Sequence, residues 1–160
     1  MRELSHPMPI LRPLPLFACL LLFSLGTAAA STASSEAAAR EIRAVMNAQQ
    51  AAWNHGDLER FMQGYARSEK TIFVSGDMVT RGWQTVLDRY KKKYAKADQM
   101  GQLRFSDVEV TLLSADAAVV LGRWELKRKD DHPHGRFTLL FRRMPEGWRI
   151  IHDHTSAATP

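Results

Sequence analysis

The chain is poor in cysteine and in long apolar stretches. Cys19 is the one cysteine among 160 residues, so no intramolecular disulfide can form and no cysteine cluster exists for a structural zinc site. The longest apolar run, Leu14–Leu25, has twelve residues, whereas a helix needs about 20 to cross a bilayer. The glycine-rich patterns that hold nucleotide phosphates are absent too, so the sequence predicts no nucleotide site.

The composition is otherwise that of an ordinary globular protein. Hydrophobic residues make up 45% and charged residues 24%, which excludes a disordered or fibrous chain. Lys and Arg (22) exceed Asp and Glu (17), for a net charge of +5. By itself this moderate surplus indicates neither a nucleic acid nor a membrane as partner. The lysine-rich segment Tyr90–Tyr94 is interpreted as a solvated helix face. The length corresponds to one domain plus an appendage.

Residues 1–30 have the pattern of a secretory signal peptide. Basic residues precede the apolar run, and the small residues Ala28–Ala30 follow it. This order predicts cleavage after Ala30 and a periplasmic or secreted protein that meets a membrane only transiently. Cys19 lies inside the run rather than at its end, which disfavours lipid attachment. Residues 31–35 are predicted to be a flexible tail.

After residue 36 the spacing of apolar residues predicts three helices and six strands. Their order is helix, helix, hairpin, helix and then four strands. The predicted helices cover Glu36 to about Asn54, Leu58–Tyr65 and Trp83–Lys96, and the predicted strands cover Thr71–Ser75, Met78–Arg81, Leu103–Leu113, Ala117–Lys127, Arg136–Arg143 and Trp148–Thr155. A bulge is expected near Ser106-Asp107. Helices first and strands afterwards indicate an α+β fold, with the helices on one face of a curved sheet.

Four short strings in this chain, in their order and spacing, are typical of one superfamily. They are Ala52–Asp57 (AWNHGD), Arg81-Gly82, Gly122–Trp124 (GRW) and Gly147–Ser156 (GWRIIHDHTS). Together they resemble the nuclear transport factor 2-like superfamily, and within it the SnoaL-like, ketosteroid-isomerase-like small domains of unknown function. The resemblance covers residues 36–156 and leaves 157–160 as a C-terminal tail.

This resemblance implies a cystatin-like roll, in which a cone-shaped, strongly curved antiparallel sheet and three N-terminal helices close an internal pocket. It also implies a homodimer. Members of the superfamily include isomerases, cyclases, dehydratases and binding proteins without catalytic activity. The fold therefore predicts where a pocket lies and leaves its chemistry open.

The last strand carries the predicted polar side of the pocket. Side chains alternate along a strand, so His152 and His154 share a face with Trp148, and we expect that face to line the cavity. His154 could act there as an acid or base near neutral pH, or could be a hydrogen-bonded structural residue. Asp153 should point away by the same alternation. Two histidines without a third ligand predict no metal site, and no cofactor is expected.

Aromatic residues form the predicted apolar wall of the pocket. Five of them lie on elements expected to surround the cavity: Trp53, Tyr65, Phe73, Trp83 and Trp124. Aromatic side chains with a few polar groups are how small apolar ligands are held, although the same residues can equally form a plain core. Trp124 shares a strand face with Gly122, where the missing side chain leaves room. A buried Tyr65 hydroxyl would need a hydrogen-bond partner.

Three functions are compatible with this interpretation. The first is an exported domain that binds a small apolar or mixed-polarity molecule in an aromatic-lined pocket. The second is a small isomerase- or cyclase-type enzyme that uses His154 as its acid or base. The third is an interaction module that binds another protein through its sheet, which a pocket blocked by Trp124 and Phe73 would favour. No nucleic-acid partner is expected.

Overall fold

The computed structural model describes residues 24–94 and 97–158, which contain four helices and six strands. The helices are α1 (Ser24–Asn54), α2 (Leu58–Met62), α3 (Trp83–Lys93) and α4 (Ala97–Met100). The strands are β1 (Ile72–Ser75), β2 (Met78–Arg81), β3 (Gln102–Leu112), β4 (Ala117–Lys127), β5 (His134–Met144) and β6 (Gly147–Thr155). Within these ranges no helix is both long and apolar enough to cross a membrane.

The predictions for the N-terminus fall partly outside that range. Residues 1–23, with Cys19 and most of the predicted signal peptide, are not among the described residues. The chain is helical from Ser24, so α1 includes the segment 31–35 that the sequence predicts to be a flexible tail. Many alanines follow Ser24, and alanine has the highest helix propensity. Ala38 is the first buried side chain in the described part of α1.

The six strands form one curved, unclosed sheet in the order β2-β1-β6-β5-β4-β3. Neighbouring strands run antiparallel except β1 and β6, which pair in parallel from Ile72 opposite His152 to Ser75 opposite Thr155. The sheet is thus mixed rather than wholly antiparallel. Helices α3 and α4 and four strands separate β1 from β6 along the chain, and so long a connection permits parallel pairing. The predicted α+β class and the predicted order of elements are confirmed.

Helix α1 lies against β3 and covers its free edge. Asn54 bonds twice to Leu103, because its side-chain nitrogen donates to the carbonyl oxygen (3.0 Å) and its side-chain oxygen accepts from the backbone N–H (2.6 Å). The side-chain oxygen of Gln50 accepts from the N–H of Phe105 (2.7 Å). These bonds satisfy backbone groups that an edge strand would otherwise leave unpaired.

The core lies between this helical layer and the inner face of the sheet. Among its largest fully buried side chains are five from α1, β5 and β6: Ile42, Met46, Phe141, Trp148 and Ile150. Full burial of an aliphatic or aromatic side chain contributes about 1.5–3 kcal/mol. The packing of these residues holds α1 over the sheet and leaves one part of the layer unfilled.

Two bulges change the direction of side chains along the long strands. In β3 the register shifts between Ser106 and Glu109, with Asp107 at a φ of 51°, which confirms the bulge predicted there. In β6 Ile151 is an extra residue without a partner on β5. An extra residue reverses the face of every side chain that follows it in the strand.

Candidate functional site

A cavity of about 170 Å³ lies between the inner face of the sheet and helices α1, α2 and α3. Of the five aromatic residues predicted to surround it, four line it: Trp53, Tyr65, Phe73 and Trp124. Trp83 does not, and its indole Nε1 instead donates to the carbonyl oxygen of Met62 (2.8 Å). Five further aromatic side chains complete the wall: Phe61, Tyr90, Tyr94, Phe105 and Phe137. The cavity is therefore predominantly apolar and has a small number of polar side chains in its lining.

Trp53 is central to the aromatic wall. Its ring packs edge to face against Phe61, Tyr90 and Tyr94, with ring centroids 5.2, 5.9 and 4.8 Å away. Each such pair stabilises the fold by about 0.5–1.5 kcal/mol beyond the burial of its surface. The indole Nε1 donates to the carbonyl oxygen of Met100 (3.4 Å), so its polar edge is satisfied by protein. The wall is held in place by its own contacts.

The bulge at Ile151 decides which side chains of β6 enter the cavity. Ile150, just before the bulge, points inward and is buried. After the bulge the inward positions are those of Asp153 and Thr155, and both line the cavity. The cavity consequently contains a carboxyl group at a position where simple alternation places a solvent-facing residue.

His152 and His154 lie on the opposite face of β6. His154 is exposed, and neither histidine lines the cavity. The predicted inward orientation of both residues is wrong, because strict alternation takes no account of an extra residue in the strand. The predicted outward orientation of Asp153 is wrong for the same reason. Among the described residues, no three His, Cys, Asp or Glu side chains are grouped so that they could hold a metal ion.

Asp153 is a buried carboxyl group with two hydroxyl donors. The Tyr65 hydroxyl donates to its Oδ2 (2.6 Å), and the Thr155 hydroxyl donates to its Oδ1 (2.9 Å). Tyr65 is 3% exposed and Asp153 is 5% exposed. A carboxylate offers about four acceptor positions, so each oxygen can still accept a hydrogen bond from a bound molecule.

A short parallel bridge places Tyr65 beside Asp153. The N–H of Ala66 donates to the carbonyl oxygen of Ile150 (2.8 Å), and the N–H of Ile150 donates to the carbonyl oxygen of Gly64 (2.9 Å). The bridge joins the segment after α2 to β6 at the residue that precedes the bulge. The same stretch of β6 therefore positions both members of the pair.

Burial dominates the electrostatics of this pair. Loss of hydration raises the pKa of Asp153 to about 6, against the lowering effect of the hydrogen bonds from Tyr65 and Thr155. Burial, together with the negative charge of Asp153, raises the pKa of Tyr65 well above its ordinary value. The carboxyl group therefore titrates close to neutral pH, while the phenol keeps its proton.

Trp124 borders the cavity from β4. Its Nε1 donates to the carbonyl oxygen of Ser156 (2.9 Å), which ties the indole to the segment after β6. The room predicted beside Gly122 is occupied by the ring of Phe137, with which a Cβ at Gly122 would collide. The glycine thus allows close packing between β4 and β5, and it adds no space for a ligand.

Sequence reasoning misses the three charged residues of the lining: Arg89, Lys93 and Asp153. Asp153 is missed because of the bulge, whose one signal in the sequence is the consecutive apolar pair Ile150-Ile151 in an otherwise alternating strand. Arg89 and Lys93 are missed because a lysine run on a helix is usually solvated. Their spacing of four residues, which puts both on one side of α3, is the signal that could have found them.

The comparisons with known proteins agree with this architecture. The model of the SnoaL-like domain family matches residues 42–160. One similar solved structure is an NTF-2 like protein of unknown function from Shewanella oneidensis MR-1, which is 40% identical with a TM-score of 0.71. That match covers 74% of this chain and 98% of the other. No curated protein matches the chain.

Two more distant structures share the fold. An NTF2-like protein with a cystatin-like fold from Novosphingobium aromaticivorans is 17% identical, with a TM-score of 0.66 over 84% of this chain and 90% of the other. A ketosteroid isomerase-like protein from Erwinia carotovora atroseptica is 20% identical, with a TM-score of 0.59 over 74% of this chain and 95% of the other. The family match over most of the chain and the shared curved sheet lead to one conclusion: the chain belongs to the SnoaL-like domain family, within the nuclear transport factor 2-like superfamily.

Proposed function

We propose that the protein binds a small, largely apolar molecule that carries at least one polar group. The observation that carries this proposal is the cavity itself, which has nine aromatic side chains in its lining and one buried carboxyl group, Asp153. An apolar body would pack against the aromatic rings, and a hydroxyl or amide group, where the molecule has one, would donate to Asp153. A few convergent polar groups in an apolar pocket are the usual arrangement for a small-molecule site.

The volume of the cavity limits the size of this molecule. A dry apolar cavity of about 150 Å³ in another protein is large enough to bind benzene. The cavity here, at about 170 Å³, suits one six-membered ring with a short substituent. 3-Phenylpropionamide has one ring, a two-carbon chain and an amide group that can donate to Asp153.

Titration calorimetry of 3-phenylpropionamide with two matched variants tests the proposal. Leu139 lines the cavity on β5, and its direct partner on the neighbouring strand β6 is Asp153. Leu139→Phe therefore fills part of the space. Leu140 is the next residue of β5 and lies outside the lining, so Leu140→Phe adds the same group elsewhere. We expect binding by the wild type and by Leu140→Phe, and at least about tenfold weaker binding by Leu139→Phe. Equal binding by both variants would contradict the proposal.

The interaction-module alternative depends on a cavity blocked by Trp124 and Phe73. Both side chains border an open cavity of about 170 Å³ instead. This favours a small molecule over a protein partner as the main ligand of the domain.

The Asp153–Tyr65 pair supports a second candidate function, which is proton transfer on the bound molecule. A carboxyl group with a pKa of about 6, at a hydrogen-bonding distance of 2.6 Å from a phenol in an apolar cavity, is suited to act as a base near pH 7. This assigns to Asp153 the role that the sequence assigns to His154. His154 is exposed on the other face of the sheet, so it lacks access to a molecule in the cavity.

Hydrogen exchange of a simple ketone tests this second function. In D2O the carboxylate of Asp153 would remove a proton from the methyl group of acetophenone, and the resulting enolate would take up deuterium at that carbon. We expect Asp153→Asn to abolish any acceleration that the wild type gives, and His154→Ala to leave it unchanged. Exchange at the uncatalysed rate with the wild type would contradict the function for ketones of this size.

We also propose that the protein is exported and cut after Ala30, as the first thirty residues indicate. The cut would fall within α1, eight residues before Ala38, the first buried side chain among those described in this helix. The intact mass of protein from the periplasm or the culture medium tests this directly. We expect a chain that begins at Ser31, and an uncut chain in the cytoplasm would contradict export.

A further inference from the structure

Two cationic side chains lie at the exposed end of the cavity. Arg89 and Lys93 are one turn apart on α3, and both line the cavity. Arg89 is half-buried and Lys93 is exposed, whereas Tyr65 and Asp153 are 3% and 5% exposed. The difference in exposure shows that the two cations lie at the solvent end of the cavity and that the carboxyl group lies at its buried end.

Neither cation is paired with a carboxylate. Within the described part of the chain, Arg89 and Lys93 take part in none of the ion pairs, although their neighbour Lys91 pairs with Glu59 (2.7 Å). Arg89 donates from one Nη to the Thr80 hydroxyl (2.7 Å). The positive charge at this end of the cavity is thus not neutralised by an acidic partner.

Aromatic rings hold both cations near the entrance. The guanidinium of Arg89 lies over the ring of Phe73, 5.0 Å from its centroid, and the ammonium of Lys93 lies 5.4 Å from the centroid of Tyr94. Cation–π contacts of this kind orient a side chain and leave its N–H groups able to donate. A guanidinium has five N–H donors, and the hydrogen bond to Thr80 uses one of them.

The charged side chains of the lining determine at which end of the cavity the negative group of a bound anion would lie. Asp153 would repel a negative group at the buried end, since like charges in a medium of low dielectric constant interact strongly. Arg89 and Lys93 would attract the same group at the entrance, and carboxylates form strong charge-assisted bonds with guanidinium and ammonium groups. The apolar middle of the cavity separates the two ends.

We propose that the natural ligand is a small amphipathic carboxylate whose negative group binds Arg89 and Lys93 while its apolar body occupies the aromatic cavity. This inference rests on the proposed binding function and names the chemical class of its ligand. It also assigns a role to part of the Tyr90–Tyr94 segment, because Lys93 faces the cavity while Lys91 and Lys92 face solvent.

A pair of compounds that differ in charge alone tests the inference on the full chain. 3-Phenylpropionate and 3-phenylpropionamide have the same ring and chain, and the carboxylate carries the negative charge. We expect calorimetry at low salt to give about tenfold tighter binding of the carboxylate, a ratio that approaches one in 1 M NaCl. Equal affinity at low salt, or tighter binding of the amide, would overturn the inference and leave the proposed function intact.

Two double variants with the same loss of charge locate the effect. Arg89→Gln/Lys93→Gln should lose the preference for the carboxylate and still bind the amide. Arg81→Gln/Lys92→Gln removes an arginine and a lysine that are exposed and outside the lining, and should keep the preference. A similar loss of preference in both variants would overturn the inference, since net charge alone would then explain it.

A single variant serves as the control for effects on stability. Arg89 contacts Phe73 and Thr80, so its loss could weaken the fold, whereas Lys93 is exposed. Lys93→Gln should therefore melt at the wild-type temperature and reduce the carboxylate preference about threefold. A folded Lys93→Gln with an unchanged preference would contradict the part assigned to Lys93. Failure of both compounds to bind the wild type would contradict the proposed function itself.

Discussion

Asp153 has the most unusual environment of any acidic residue in the described part of the chain. Burial raises its pKa to about 6, whereas an Asp in an unfolded chain titrates near 3.9. Between these two values the folded state holds a proton that the unfolded state releases. The contribution of Asp153 to stability is therefore most favourable below pH 4 and is lost as the pH rises towards 6.

Replacement of this carboxyl group should change the pH dependence of folding. In Asp153→Asn the position stays neutral, so the wild type should lose roughly 2 kcal/mol of unfolding free energy relative to the variant between pH 4 and pH 7. Urea denaturation at several pH values measures this. Asp77→Asn removes an exposed carboxyl group and is the control. Parallel pH profiles for the wild type and Asp153→Asn would contradict the assigned environment.

Single residues are where prediction from the sequence is weakest. The positions of Trp53, Tyr65 and Phe73 around the cavity follow from helix and strand periodicity, and they agree with the structure. The predicted positions of Asp153 and His154 disagree with the structure, because one extra residue in β6 exchanges the faces on which their side chains lie. The alternation of side chains along a strand does not predict a bulge, because the bulge depends on how β6 pairs with its neighbours.

At the scale of elements, α1 both covers the core and bonds to the edge of the sheet. Its side chains Gln50 and Asn54 bond to backbone groups of β3, the edge strand nearest to it. The helix thus substitutes for a further strand at that edge. The sequence predicts both α1 and β3 from their periodicities, but it does not predict this contact between residues about fifty positions apart.

Loss of these edge bonds should destabilise the fold measurably. Asn54→Ala removes two hydrogen bonds to Leu103 and leaves its partly buried backbone groups unpaired, so we expect a loss of about 1–3 kcal/mol in unfolding free energy. Asn47→Ala makes the same change at an exposed position of α1 and should be close to neutral. Urea denaturation compares the two, and equal effects would indicate that helix propensity rather than the edge contact explains the loss.

Most element boundaries were predictable to within a few residues, but α1 begins at Ser24 rather than at Glu36. Strands β2 (Met78–Arg81) and β4 (Ala117–Lys127) agree with prediction at both ends. The third helix ends earlier than predicted, at Lys93, and a separate short helix α4 follows the two residues that are not described. The parallel pairing of β1 with β6 was not predictable, because it depends on how the hairpin enters the sheet from the helical layer.

At the scale of the whole molecule, one curved sheet and one helical layer produce both the core and the cavity. The order of elements is sufficient to predict that arrangement, because helices interrupted by one hairpin and followed by a four-stranded meander have few compact solutions. The free volume is not predictable in this way, since it depends on how nine aromatic side chains pack. The homodimer implied by the resemblance remains a prediction, and sedimentation equilibrium would test it.

Removal of the first thirty residues should leave the folded domain intact. The side chains of residues 32–36 are exposed and the first buried side chain is that of Ala38, so a chain that begins at Ser31 keeps the whole described core. We expect its unfolding free energy to differ from that of the full chain by no more than about 0.5 kcal/mol. A chain that begins at Arg43 lacks Ala38 and Ile42 and should be much less stable. Loss of cooperative unfolding in the chain from Ser31 would contradict the proposed boundary.

The most direct test of the binding site uses the four tryptophans, two of which line the cavity and two of which do not. Their indole N–H groups give separate signals in a proton–nitrogen correlation spectrum. On addition of 3-phenylpropionamide, the signals of Trp53 and Trp124 should shift with a common saturation curve, and those of Trp83 and Trp148 should stay in place. Saturating shifts confined to Trp83 or Trp148, or no saturating shift at any of the four, would contradict the proposal that this cavity is the ligand site.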